Sequence, residues 1–307
     1  CEEALPLLHV DEPTIQMNFG TNTSPFAGQD GKFVTASKIE ERLFKETNKD
    51  VSLKVERIQN KEEWMVSGRG ELHLSILIET MRREGYELAV SKPEVIYRKG
   101  EDGRKLEPIE EVVVTLPAQY SGTVISKLNL RKGMMVQMSE ENGYNRIEYH
   151  VPTRGLLGYR SEFINDTHGE GSMEKRFLKF DDYKGEIEGR TNGVAIAMEN
   201  GTATPYAISN ISERVMMFID PGTEVYEGMI VGMNSRSEDM EVNPCKAKKA
   251  TNMRAAGNDE AIKLSPARHF TLEEALEFIE DDELVEVTPD DIRLRKKLLR
   301  EIERRRA

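Results

Sequence analysis

Along Trp64-Met65-Val66-Ser67 apolar and polar residues alternate as in a half-buried strand. Gly68 and Gly70 break that pattern. Leu74, Leu77, Ile78 and Met81 then recur at the spacing of one helix face. Gly85 stops the helix, residues 86–91 read as another strand, and Lys92-Pro93 closes the unit. Upstream, residues 14–18 predict a strand and 36–47 a helix, and Val51, Leu53 and Val55 mark one face of a further strand. The order is βαββαβ. A second round begins at Glu110. Residues 112–116 are a β-rich run, and Val124, Ile125 and Leu128 line a helix ended by Gly133. Residues 134–139 and 146–150 form a hairpin around Glu141-Asn142-Gly143. Residues 155–164 read as helical and 172–180 as the last strand. Two such units predict tandem ferredoxin-like domains, joined by a polar, Gly-containing linker at 99–105.

From Gly185 the pattern changes to short strands at 193–198, 202–207, 223–226 and 229–233. Asn200-Gly201 and Pro221-Gly222 supply turns, as in a small barrel or sandwich. A helix over 271–279 starts at Thr271 with Glu274 three positions on, a capping-box spacing. Residues 284–287 predict a strand, and Thr288-Pro289 a charged helix running to the end, with Ile292, Leu299 and Ile302 on its apolar side. The fold class is therefore α+β: two tandem ferredoxin-like (βαββαβ) domains, then a β-rich C-terminal domain with helices. The expected boundaries are 1–11 for the end of a preceding domain, then 12–93, 108–182 and 183–307.

A length of 307 residues with 38% hydrophobic and 32% charged positions suits a soluble globular protein of two or three domains. No apolar run approaches the ~18 residues of a membrane span, so no membrane partner is expected. The start, Cys1-Glu2-Glu3-Ala4, has neither an initiator Met nor a signal-peptide layout and reads as a cut within a longer protein. Two cysteines are too few for a disulfide framework or structural zinc, which fits a reducing cytoplasm. A net charge of −12 argues against diffuse nucleic-acid binding and confines RNA contact to local basic patches.

No Gly-x-x-x-x-Gly-Lys-Ser/Thr run is present to cradle phosphates. Asn48-Lys49-Asp50 imitates a guanine-reading motif, but Val51 stands where its aspartate belongs. His73 lies off the apolar stripe of its helix and is expected at the surface, with no second ligand at metal spacing. Adjacent acidic pairs such as Glu40-Glu41 and Asp281-Asp282 point different ways on a helix and read as solvated faces. No catalytic residue and no metal site is expected. The exception to this bland surface is the run Lys246, Lys248, Lys249, Thr251, Asn252 and Arg254. Lysines offer point charges and arginine a fork for phosphate, while Ala250, Ala255, Ala256 and Gly257 allow close approach. A solvated basic loop is the alternative. Arg295 and Lys296 of the terminal segment are further candidate RNA contacts, with a solvated face again the alternative.

The run from Ser67 to Tyr97, with turn, helix and closing Lys-Pro in register, resembles the third domain of elongation factor G. The second unit resembles that factor's fifth domain, through Tyr120-Ser121-Gly122, Leu128-Asn129-Leu130-Arg131-Lys132-Gly133, Val151-Pro152, Gly158-Tyr159 and the 167–171 loop. The anticodon-stem-like domain that elongation factor G places between them is absent. The lysine-rich stretch running into Thr251-Asn252-Met253-Arg254-Ala255-Ala256-Gly257 resembles the C-terminal domain of BipA/TypA translational GTPases.

The resemblance implies the C-terminal half of such a factor, with residues 1–11 ending a β-barrel domain. Implied partners are the ribosome (both subunits, ribosomal RNA and ribosomal proteins) and the acceptor end of A-site tRNA. A single copy is expected to bind at the elongation-factor site, in large-subunit assembly and in translation under cold or stress. No cofactor is expected in this chain; GTP and Mg²⁺ are implied for an N-terminal domain it lacks, so the chain itself is not expected to be an enzyme. A LepA-like fragment and a protein-only regulatory module are the rival readings.

Overall fold

The computed structural model describes residues 12–247 and 264–306. Two compact units emerge, and they interleave in sequence: residues 22–34, 82–92 and 188–307 form the second, and the remainder the first.

In unit 1 the strand Ile15–Gly20 pairs antiparallel with Glu63–Gly68 along its whole length, from Ile15↔Gly68 to Gly20↔Glu63. Lys54–Arg57 adds to the far side of Glu63–Gly68. Alternation buries Ile15, Met17, Phe19, Trp64 and Val66 on one side, and Ile39 and Leu43 of the helix Ala36–Thr47 join the same core. Leu74, Leu77, Ile78 and Met81 of the helix Glu71–Arg83 are buried as their spacing requires. Val51 departs from expectation. It sits in a turn and is 79% exposed, and the strand begins only at Lys54. Asp50 explains the shift: its carboxylate accepts from the Ser52 amide (2.8 Å) and hydroxyl (2.5 Å), locking an Asx turn that β-propensity at Val51 does not override.

The rest of unit 1 is built on the long strand Lys105–Pro117, flanked by Ser172–Asp182 and Tyr144–Pro152, with Met134–Glu141 at the edge beyond Tyr144–Pro152. The hairpin turn at Asn142-Gly143 has φ of +54° and +80°, the left-handed pair that an Asn-Gly turn provides. Val112, Val114, Leu116, Ile147, Tyr149 and Val151 bury against Val124 and Leu128 of the helix Ser121–Leu130 and Phe163 of Tyr159–Asp166. The expected helix over 155–164 is instead two, Thr153–Leu156 and Tyr159–Asp166, because Gly158 adopts φ +70° between them. The expected linker at 99–105 is a tight hairpin: Arg98–Lys99 pairs with the start of Lys105–Pro117.

Unit 2 holds a sheet in the order Met240–Val242, Val194–Ala197, Met229–Asn234, Ile292–Lys296, Glu283–Val287, Leu88–Val90. Ala195, Ala197, Val215, Tyr226, Met229 and Val231 form its apolar core. The helix Leu272–Phe278 carries the expected capping box, with Thr271 and Glu274 reciprocally bonded.

Two expectations are corrected. The 202–207 strand ends at Thr202, and Pro205–Ile211 is a helix with Pro205 in its first turn. The terminal helix begins late. Ile292–Lys296 is a strand paired with Glu283–Val287, and only Glu301–Arg304 is helical. The partner strand decides this: it offers Leu294 the buried place opposite Val285, which a solvent-facing helix could not match.

Candidate nucleic-acid interface

The basic run expected to meet RNA begins at Lys246, which is exposed; Lys248, Lys249, Thr251, Asn252 and Arg254 lie outside the described residues. The structure shows how the chain is seated just before this run and again from Leu264 onward. On the entering side Cys245 packs against the unit 2 core, and on the leaving side Leu264 packs against the same core. Thr204 clamps the entering side twice. Its amide donates to the Pro244 carbonyl (2.9 Å) and its hydroxyl donates to the Lys246 carbonyl (2.7 Å). The same hydroxyl accepts from the Ala207 amide (3.1 Å), capping the helix Pro205–Ile211. On the leaving side the Arg268 amide donates to the Met217 carbonyl at 2.8 Å, and Phe270 joins an edge-to-face cluster with Phe218.

Thr204 was not a sequence candidate. Its signal was there, since Thr-Pro is an N-cap followed by an N1 proline, but the alternation of 202–207 masked it.

Arg295 and Lys296 do not join this surface. They are 3% and 2% exposed, which corrects the expectation that they face RNA. The Lys296 Nζ lies 2.7 Å from Asp239, 2.8 Å from Asp282 and 3.0 Å from Glu283. Burial works against its charge, but Glu283, Asp239 and Asp282 outweigh burial and hold its pKa above the usual ammonium value. Arg295 donates from Nη2 to the Thr23 hydroxyl at 2.9 Å. A basic residue in a strand with an acidic partner strand is consumed internally, whereas the same residue on a free helix would meet solvent. Of the terminal cations, Lys297, Arg300, Arg305 and Arg306 remain exposed.

His73 also differs from its expected place. It is partly buried, with Nε2 2.6 Å from the Asp50 carboxylate. The Ser52 hydroxyl does most to hold the Asp50 carboxyl below its ordinary range, against the effect of burial, with smaller help from the Ser52 amide and His73. Among the described residues no cluster of three His, Cys, Asp or Glu side chains could hold a metal, and no helix is long and apolar enough to cross a membrane.

Comparison with known proteins adds the following. The family described as TypA/BipA C-terminal domain matches residues 192–301, Elongation factor G C-terminus matches 104–191, and Elongation Factor G, domain III matches 33–92. A Haemophilus influenzae protein named Large ribosomal subunit assembly factor BipA is 54% identical over 99% of this chain and 50% of its own length. Proteins of the same name from Bacillus subtilis and Escherichia coli K12 are 51% and 52% identical, over 100% and 99% of this chain and 50% of theirs. A crystal structure from Thermus thermophilus shares 18% identity over 58% of this chain and 42% of its own, with a TM-score of 0.39. The chain spans about half the length of the curated relatives it matches. On the matches to its successive segments and the identity along its whole length, this chain belongs to the BipA/TypA family.

Proposed function

We propose that this chain is the ribosome-docking, RNA-contacting part of a BipA/TypA factor that acts in large ribosomal subunit assembly. The curated relatives carry that role in their names. The observation that supports a local RNA contact is the packing of Cys245 and Leu264, which bound the stretch carrying Lys246, Lys248, Lys249 and Arg254, against one apolar core in a protein of net charge −12. One copy binds at the elongation-factor site across the subunit interface, with Lys248, Lys249 and Arg254 toward the acceptor end of A-site tRNA or neighbouring ribosomal RNA. The role extends to translation under cold or stress, in the cytoplasm. With no phosphate-cradling loop in its sequence, this chain hydrolyses no GTP; nucleotide and Mg²⁺ are handled by residues outside it.

The test is ribosome sedimentation across a salt series with Lys248, Lys249 and Arg254 changed together to Ala. Thermal unfolding of the variant serves as the control for folding. Binding should weaken, and the log–log salt slope should flatten by up to roughly three units if all three reach phosphate. Parental affinity and slope in that variant would remove the segment from the interface.

A further inference from the structure

The hairpin that replaces the expected linker carries a conflict. Lys99 and Lys105 are direct cross-strand partners, at the mouth of a turn closed by Gly100 N–H to Arg104 O (2.9 Å) and Gly103 N–H to Gly100 O (2.9 Å). Like charges directly opposite repel. Both side chains are exposed, and neither ammonium has a carboxylate partner among the described residues.

Nearby carboxylates, the turn residue Glu101 aside, are already matched. Asp102 and Asp182 are taken by Arg104, Glu107 by Arg154, and Asp181 by Lys179 and Lys184. Lys105 lies instead over two rings, its Nζ 3.6 Å from the Tyr97 centroid and 4.7 Å from that of Tyr183. The rings meet edge to face at 6.1 Å, and Arg154 lies 4.5 Å from the Tyr183 centroid. Tyr97 is still 40% exposed.

We propose that this hairpin is a second RNA-binding site, separate from the 246–254 segment, which takes an unpaired stretch of RNA. Its phosphates lie between Lys99 and Lys105 and relieve their repulsion, and a base stacks on Tyr97. An acidic polypeptide would satisfy the lysines but leave the tyrosine unused; unpaired nucleotides use both, because bases stack on aromatic rings whatever their identity. The site needs no contribution from unit 2, so it stands or falls independently of the reading of residues 246–254.

The test uses the full chain carrying Lys248→Ala, Lys249→Ala and Arg254→Ala, so that the first segment is silent, with a short oligouridylate and inorganic polyphosphate as probes. Adding Lys99→Ala and Lys105→Ala should weaken oligouridylate binding and flatten its salt slope by about 1.4, at about 0.7 per phosphate on a single strand. Tyr97→Leu should weaken oligouridylate roughly tenfold, in the range of one lost stacking contact, and leave polyphosphate binding unchanged. Three results overturn the proposal: unchanged affinity and slope in the double lysine variant, equal loss of both probes in Tyr97→Leu, or competition by polyglutamate as strong as by oligouridylate.

Discussion

Asn22 and Glu286 stand 264 positions apart in the chain and share a hydrogen bond of 2.8 Å, Nδ2 to Oε1, wholly inside unit 2. The Glu286 carboxylate also accepts from the Ser24 hydroxyl (2.9 Å), the Tyr226 hydroxyl (2.6 Å) and Arg293 Nη1 (2.8 Å). A second buried carboxylate, Glu87, accepts from Asn22 Nδ2 (2.7 Å) and from the amides of Gly28 (3.0 Å) and Gly31 (3.1 Å). Two acids thus hold the 22–34 loop in place. Phe26 meets the Tyr226 ring edge to face at 5.0 Å beside them.

Glu286→Ala should therefore lower stability by about 3 kcal/mol, because removing one partner of a buried charge network strands the others. Hydrogen exchange should accelerate first at Gly28 and Gly31. Urea unfolding and exchange mass spectrometry read both effects.

Lys296→Met should destabilise by roughly 3 kcal/mol, since Glu283 beside it is as buried as the lysine, while the half-exposed Asp239 and the more exposed Asp282 add little. The pH dependence follows from the raised pKa. The ammonium's contribution is complete below its ordinary value of 10.5 and is lost as pH climbs through the higher folded value. The stability gap between parent and variant should stay level from neutral pH to 10.5 and narrow above it, as urea titrations at successive pH values would show. The salt slope of ribosome binding should not change.

Gly155→Ala should destabilise unit 1 by about 1–3 kcal/mol, because an added Cβ would sit 2.5 Å from the Arg131 backbone oxygen, where no side chain can yield. Thermal unfolding should show the loss. The same exchange at Gly122, where an added Cβ meets nothing within 4 Å, serves as the control.

Thr204→Val should lose about 1–2 kcal/mol through the helix cap and the bond to the Lys246 carbonyl. If the clamp presents the basic segment, ribosome affinity should fall as well, although no charge is removed. Sedimentation at one low salt concentration would detect it.

The order of elements through unit 1 could be read from the sequence because local rules and packing agree there. Leu74, Ile78 and Met81 keep helical spacing on a buried face, and Asn142-Gly143 supplies the left-handed pair its turn requires. The capping box at Thr271 is equally local. Where reading failed, a distant partner or a side-chain bond decided the outcome. Nothing near Arg295 and Lys296 announces that Glu283–Val287 will pair with them, so a charged helix fitted the local pattern as well as a strand did. Asp50 turned the chain at Val51 through its own side chain. The hairpin lysines were invisible as a pair, because Lys99 and Lys105 meet only once the register is set.

The interleaving of the two units fixes an order of events during synthesis. The 22–34 loop leaves the ribosome long before Glu286 and Arg293, the groups that hold Asn22, Ser24 and Asp30 in it. At about 5–20 residues per second the wait from Asn22 to Glu286 is roughly fifteen to fifty seconds. For that interval the loop can meet Glu87 but not Glu286 or Arg293, and unit 2 closes only when its last two strands arrive.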